Sequence, residues 1–453
     1  MKIVHVALAW AASVMMVAGA PTLAAGLVIN EIMADNSTAV AYGGRYPDWI
    51  EVYNNSDQTV ALAGMMLSDD PAKPDKYVFP TKTFLGAGER LVVWCDNERQ
   101  LAGLHSGFAL SAQGANVSLY SADAVPRLLD SVSYGLQATD FSIGRVPDGT
   151  GVWQLTKPTL GGANVAQSLG SVASLKLNEW MASPSSGDDW FEVYNADAAP
   201  VSLAGLFLSD DFTLPVSPQL PALSFIGPKG FRQFIADKDL TKGADHVNFK
   251  LSASAESLGI FTASFQPIDA VSFGAQTEGV SEGRLPDGGA AMVGFATTAS
   301  PGESNFLPLT GVVINEVLTH TDLPLEDAIE LHNPTETPLD ISGWFLSNSN
   351  TELQKFRIPN GVVLPAKGFH VFYESQFNAS PGMATSFTLN AAHGDTVYLA
   401  QATGSGNLTG YRTSQKFRAA ENGVSLGRVV TSIGADFTAL SRRTFGVDEP
   451  ADV

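Results

Sequence analysis

From about residue 26 onward, apolar runs of four to eight residues rich in Val, Ile, Phe and Tyr alternate with turns of Gly, Pro, Asn and Asp. That pattern predicts strand after short strand. No stretch carries the period and caps of a helix of ten or more residues; "WCDNERQLAGL" (94–104) comes nearest and reads as a loop with one turn. Within "DWIEVYN" (48–54) the alternation is clear. Ile50 and Val52 fall on one face of the strand, and Trp49, Glu51 and Tyr53 on the other. The aliphatic pair is expected to face a core. The opposite face is expected to be half-exposed, with its carboxylate reaching water or a cation. Asn54, followed by "NSDQ", ends the strand as a turn residue.

The same strand returns as "DWFEVYN" (189–195) and "DAIELHN" (327–333). It belongs to a long repeat. Three blocks open with "LVINEIMAD" (27–35), "LKLNEWMAS" (175–183) and "VVINEVLTH" (312–320). Each continues through "LAGMMLS" (62–68), "LAGLFLS" (203–209) or "ISGWFLS" (341–347), then a Gly turn into a strongly apolar strand. Closing motifs follow at "SIGRVPDG" (142–149), "SEGRLPDG" (281–288) and "SLGRVVTS" (425–432). Linkers rich in Gly, Pro and small polar residues come next, "TKPTLGGAN" (156–164) and "TASPGESN" (298–305). The period is too long for a solenoid unit and predicts tandem domains. Short strands at this density, with turns between them, predict an all-β chain of three tandem immunoglobulin-like β-sandwich domains.

Residues 1–25 stand apart. One charge, Lys2, precedes an apolar stretch and then small residues at 22–25, the pattern of a secretory signal peptide. No later stretch approaches the ~18 apolar residues of a membrane span. A formal charge of −20 disfavours a nucleic-acid partner, whose phosphates it would repel. The single cysteine, Cys95, excludes an intrachain disulfide, and its place in "LVVWC" reads as a small buried hydrophobe. Each domain must therefore be held by apolar burial alone.

Block one, with "LVINEIMAD", "DWIEVYNNSDQTVALAGMMLSDD" and "YVFPTKTFLGAGERLVVWCDN", resembles the lamin tail domain, and blocks two and three repeat its marks. The resemblance implies an immunoglobulin-like sandwich of a kind found in nuclear lamins and in many exported bacterial proteins. It divides the chain into a signal peptide (1–25) and lamin-tail-like domains at 26–165, 172–306 and 310–447. There are departures: the Trp of the third motif is Trp344 only in block three, with Met65 and Leu206 there in blocks one and two, and block three has Ala328 in place of the strand Trp. Block three also lacks the closing Pro-Gly…Asn and ends at "RRTFGVDEPADV" without an evident terminator.

The motif residues are Asn30, Glu31, Trp49, Glu51, Asn54 and Arg145; then Asn178, Glu179, Trp190, Glu192, Asn195 and Arg284; then Asn315, Glu316, Glu330, Asn333 and Arg428. A buried carboxylate needs a partner, so Glu31, Glu179 and Glu316 are expected to pair with Arg145, Arg284 and Arg428. Asp69, Asp70, Asp210 and Asp211, in the two "SDD" turns, are candidate oxygen ligands for Ca²⁺. They lack an EF-hand loop, and solvated turn residues are the simpler reading; otherwise no cofactor or metal is expected. No H-E-x-x-H, G-x-S-x-G or Cys/His arrangement occurs, so no catalytic residue is assigned. The chain reads as a non-enzymatic exported protein with an interaction, attachment or structural role at the cell surface or outside the cell. Its expected partner is a protein or polysaccharide there. Two alternatives stay open. One is a carbohydrate- or polymer-binding protein using Trp49, Trp190, Tyr53 and Tyr194 as outward aromatics. The other is an accessory part of an extracellular hydrolase or of a longer surface protein.

Overall fold

The computed structural model of the protein describes residues 26–98, 100–213 and 218–447. The expected signal peptide lies outside these residues. The chain divides into two compact units, Met1–Ser133 with Thr139–Gln167 and Tyr134–Ala138 with Ser168–Val453.

The fold is nearly all β, in the immunoglobulin-like sandwich class, and one sheet order recurs along the chain. In block one the opening strand Leu27–Met33 lies between the signature strand Asp48–Asn54 and the closing strand Ser142–Val146. The apolar strand Arg90–Cys95 pairs with the far side of the signature strand. Block two sets Leu175–Met181 between Asp189–Asn195 and Ser281–Arg284. Block three sets Val313–Leu318 between Ala328–His332 and Leu426–Thr431. A second sheet, built on Ala115–Tyr120, Glu256–Phe261 or Asp395–Ala402, completes each sandwich. Between the sheets the apolar positions pack as expected, with Ile29, Ile32, Ile50 and Val52 all fully buried in block one. The described residues of 94–104 form no helix, and among the described residues the one α-helix is the four-residue Glu374–Phe377. None of the described helices is long and apolar enough to cross a membrane.

The opening strand does not alternate regularly. Its register with the signature strand shifts at Asn30, and again at Asn178 and Asn315. A bulge adds one residue to one strand and re-aims the side chains beside it. This is how the string Ile-Asn-Glu-Ile can bury Ile29 and Ile32 in the core while Asn30 and Glu31 both reach partners on the outer side of the sheet.

Within the second unit, the chain leaving block two joins a sheet of block three. Leu307–Pro308 pairs in parallel with Tyr411 and Arg412, and the Arg412 guanidinium lies 3.9 Å from the Phe306 ring centroid.

Candidate functional site

Repetition directs attention to the outer face of the first sheet, where Trp49, Glu51 and Tyr53 were expected to be half-exposed. Tyr53 is half-buried as expected, but the structure corrects the other two. Trp49 and Glu51 are fully buried, Trp190 is 7% exposed, and Glu192, Ala328 and Glu330 are fully buried. The cover is a short strap of chain that follows the closing hairpin and crosses back over the sheet. In block one it is Thr159-Leu160-Gly161, and Leu160 packs into the cluster of Met33, Trp49 and Trp94. Alternation along one strand says only that a residue leaves the first core. It does not say what covers the other side.

The strap is held by two glutamates. Glu51 accepts Asn30 Nδ2 on Oε1 (3.0 Å) and the Gly161 amide on Oε2 (2.8 Å). Glu31 accepts the Thr159 amide and hydroxyl, both at 3.0 Å, and the Ser142 hydroxyl at 2.6 Å. Block two repeats this. Glu192 accepts Asn178 Nδ2 (3.1 Å) and the Gly302 amide (2.6 Å), and Glu179 accepts the amide and hydroxyl of Ser300 (3.1 and 3.3 Å). In block three Glu330 accepts Asn315 Nδ2 (2.9 Å) and the Gly446 amide, while Glu316 accepts the amide (3.1 Å) and hydroxyl (2.6 Å) of Thr444. The strap is thus a Ser/Thr-x-Gly tripeptide in every block. Block three does close, through Thr444-Phe445-Gly446, and the expectation that it lacked a terminator is corrected. That expectation was tied to the Pro and Asn of the linkers, whereas the bonds need a hydroxyl followed two residues later by a free amide.

Blocks one and two add a layer that the described residues of block three do not show. Asp148 Oδ1 accepts Asn30 Nδ2 (3.2 Å) and the Asn164 amide (3.0 Å), and Asp287 does the same for Asn178 and Asn305. The following glycines, Gly149 and Gly288, donate their amides to Asn30 and Asn178 Oδ1 at 2.9 Å. Gly149 has φ +72°, and a Cβ there would meet the Tyr53 ring at 2.8 Å, which explains the Pro-Asp-Gly of these two closing motifs.

Each arginine of the closing motif pairs elsewhere than expected. Arg145 binds Asp130 (3.0 Å) and the Ile29 carbonyl (3.0 Å), while Asp130 accepts the Ile29 amide (2.9 Å). Arg284 and Asp269 bracket Leu177 in the same way. In block three Gln415 takes the aspartate's place, 3.4 Å from Arg428. The proposed Glu–Arg pairs are therefore corrected: the arginine pins one sheet to the other beside the bulge, and the glutamate needs no cation because its donors are amides and hydroxyls.

Burial, opposed by these hydrogen bonds, pushes Glu51, Glu179 and Glu330 up to about 7 and Glu192 well above its ordinary value. The neighbouring carboxylate adds to the effect for Glu51, Glu192 and Glu330.

The asparagines that end the signature strand are buried turn hubs. Asn54 donates to Gln58 O (2.7 Å) and Leu85 O (2.9 Å) and accepts from Ser56; Asn195 and Asn333 make matching sets. Tyr53, Tyr194 and His332 are half-buried, packed on their cross-strand partners Arg90, Phe231 and Phe369. Cys95 is buried and free. The four aspartates considered for Ca²⁺ lie in the two SDD turns: Asp69 pairs with Lys76, and Asp70 and Asp211 cap the Ala72 and Thr213 amides. Among the described residues no group of three or more His, Cys, Asp or Glu is placed to hold a metal ion.

One recurring pair was missed by motif reading. His105 Nδ1 lies 2.6 Å from Asp96, and His246 Nδ1 lies 3.0 Å from Asp237, nine residues apart both times. Burial lowers the His105 pKa, but the Asp96 and Ala102 bonds outweigh it and leave the imidazole above its ordinary value. No hydroxyl or thiol bonds to either ring among the described residues. The pair staples the loop that follows the apolar strand. An alignment of blocks one and two on "CDNERQLAGLH" and "ADKDLTKGADH" would have revealed it.

Comparison with known families supports the architecture. The Lamin Tail Domain family model matches residues 20–136 and 308–413, which overlap most of blocks one and three. No curated protein and no solved structure gives a significant match. The chain thus carries β-sandwich interaction modules similar to the lamin tail domain.

Proposed function

We propose that the protein is an exported, non-enzymatic chain of three lamin-tail-like sandwiches that acts as an interaction or attachment module at the cell surface or outside the cell. One observation carries the reading. The residues that recur in every block, and that would form any thrice-repeated active site, are consumed by the fold. Glu51, Glu192 and Glu330 are fully buried, and each has both oxygens engaged by an asparagine side chain and a strap amide. A catalytic carboxylate must reach its substrate, and these reach only the chain itself. The partner is a protein or a polysaccharide, and the net charge of −20 disfavours nucleic acid. No cofactor is needed for this role.

Expression of the full chain in a bacterial secretion host tests the reading. The expected product lies outside the cytosol, begins near residue 25 or 26 by intact-mass measurement, and turns over no phosphoester, ester or glycoside substrate. A chain retained in the cytosol with residues 1–25 attached overturns the export part. Turnover that follows the purified protein through mutation overturns the non-enzymatic part.

A further inference from the structure

Block one carries a longer loop than the other two at one corner of the fold. Between its opening and signature strands it carries residues 34–47, against 182–188 in block two and 319–327 in block three. The longer loop is folded by its own polar groups. Asn36 Nδ2 donates to the carbonyls of Val40 (2.8 Å) and Pro47 (2.7 Å). Asp140 gathers the amides of Ser37 and Thr38 at 2.8 Å and of Ala39 at 3.0 Å. Beside the loop lies a pocket of about 670 Å³, lined among others by Asp35, Tyr46, Asp48, Leu110, Ser111 and Gln113. It is a shallow depression, open to solvent.

In block two the corresponding aspartate is bonded differently. The aspartate that begins the signature strand of block two, Asp189, accepts the Leu251 amide at 3.1 Å and so ties the strand to the loop of "FKLS". The counterparts in block one are Asp48 and Leu110 of "FALS". There Asp48 accepts the Asn36 amide from the longer loop at 3.1 Å, and among the described residues no bond joins it to Leu110. Both residues line the pocket instead. The bond that ties this aspartate to the following loop in block two is thus replaced in block one by a bond to the longer loop.

The lining chemistry narrows the ligand. No Lys or Arg lines the pocket, so nothing there would compensate a phosphate, a sulfate or an acidic polymer. What it offers is two carboxylates, the Ser111 hydroxyl, the Gln113 side-chain amide, and the Tyr46 ring, which is 44% exposed; the Asn36 side chain is committed to Val40 and Pro47. Sugar hydroxyls suit the polar groups, and the C–H face of a pyranose suits an exposed aromatic ring. We propose that this pocket is a binding site for a neutral, hydroxyl-rich ligand of the saccharide class, with Tyr46 as the stacking platform and Asp48 as the principal hydroxyl partner. Burial pushes the Asp48 carboxyl up to about 7, so near neutrality it can accept from a hydroxyl in one form and donate to one in the other. The site rests on the interaction-module reading and gives it a ligand class. It also moves any sugar contact away from Trp49, which is buried.

Calorimetric titration of the full chain with neutral xylo-, cello-, malto- and chito-oligosaccharides, and separately with spermidine, tests the site. The same titrations are run on Tyr46→Ala and Gln113→Ala, substitutions at exposed positions, with the melting midpoint recorded as a control on folding. At least one neutral oligosaccharide should bind, and Tyr46→Ala should weaken it tenfold or more at an unchanged midpoint. Failure of every neutral oligosaccharide to bind, or tighter binding of spermidine, overturns the proposal. Saccharide binding indifferent to both substitutions removes this pocket but leaves the interaction reading standing. Cleavage products in the titrated mixture would overturn that reading itself.

Discussion

Glu51→Gln separates the two forces that act on the strap. Glu51 accepts two hydrogen bonds, from Asn30 Nδ2 at 3.0 Å and the Gly161 amide at 2.8 Å, and its Oε1 lies 3.7 Å from the Arg90 guanidinium. Glutamine has one acceptor oxygen and an NH₂, so either orientation turns an N–H toward an N–H and strands a buried donor. That costs about 1–3 kcal/mol. Against it stands the price of burying a charge. A carboxyl that ionises at about 7 in the fold and near 4.5 in the unfolded chain contributes about 3 kcal/mol that is fully present below the unfolded value and is lost as pH rises through the folded one. Wild type is therefore favoured at pH 5, where Glu51 is neutral and both donors are accepted. At pH 8 wild type has lost that contribution and the glutamine variant has not, so the difference should vanish or reverse. Hydrogen exchange read by mass spectrometry on peptides spanning Thr159 to Gly161 in the full chain, at both pH values, measures it locally. An equal loss of protection at pH 5 and pH 8 would mean that Glu51 is ionised throughout, and would refute the burial argument. No loss at either pH would mean that Glu51 does not hold the strap.

Three further outcomes follow from the same geometry. Asp130→Ala leaves Arg145, whose side chain is 14% exposed, without its carboxylate beside the bulge; about 3 kcal/mol should be lost from block one, seen as a lower denaturation midpoint for its peptides in exchange experiments. Trp49→Ala empties a fully buried site and should cost about 3–5 kcal/mol, whereas a ring that faced solvent would be replaced at almost no cost in melting temperature. Thr444→Val keeps shape but removes the 2.6 Å bond to Glu316, so the last strap should exchange faster while block one is unaffected.

The strands, the repeat, the core pair Ile50 and Val52, the burial of Cys95 and the turn role of Asn54 were all legible in the sequence because each depends on near neighbours. The outer face was not. The amide that satisfies Glu51 lies 110 residues away, and the strand's own alternation carries no trace of it. The bulge at Asn30 misled in the same way, since strict alternation separates two side chains that the register shift brings to one side. The arginine partner was hidden by chemistry rather than distance. A buried glutamate invited a cation, but amides and hydroxyls supplied its bonds, and the arginine went to Asp130, an aspartate present in two blocks and replaced by Gln415 in the third. Block three shows what the strap requires. It discards the Pro-Asp-Gly turn and the trailing asparagine of the linkers, and it keeps the Ser/Thr-x-Gly spacing and both glutamates.

The central claim is that the thrice-repeated polar residues form an internal clasp. Residue-resolved amide exchange of Gly161, Gly302 and Gly446 in the full chain tests it most directly. All three lie outside regular strands, yet each donates to a buried glutamate. They should exchange as slowly as amides within the neighbouring sheets. Exchange at the rate of an open loop in all three would contradict the clasp and return the outer face to solvent.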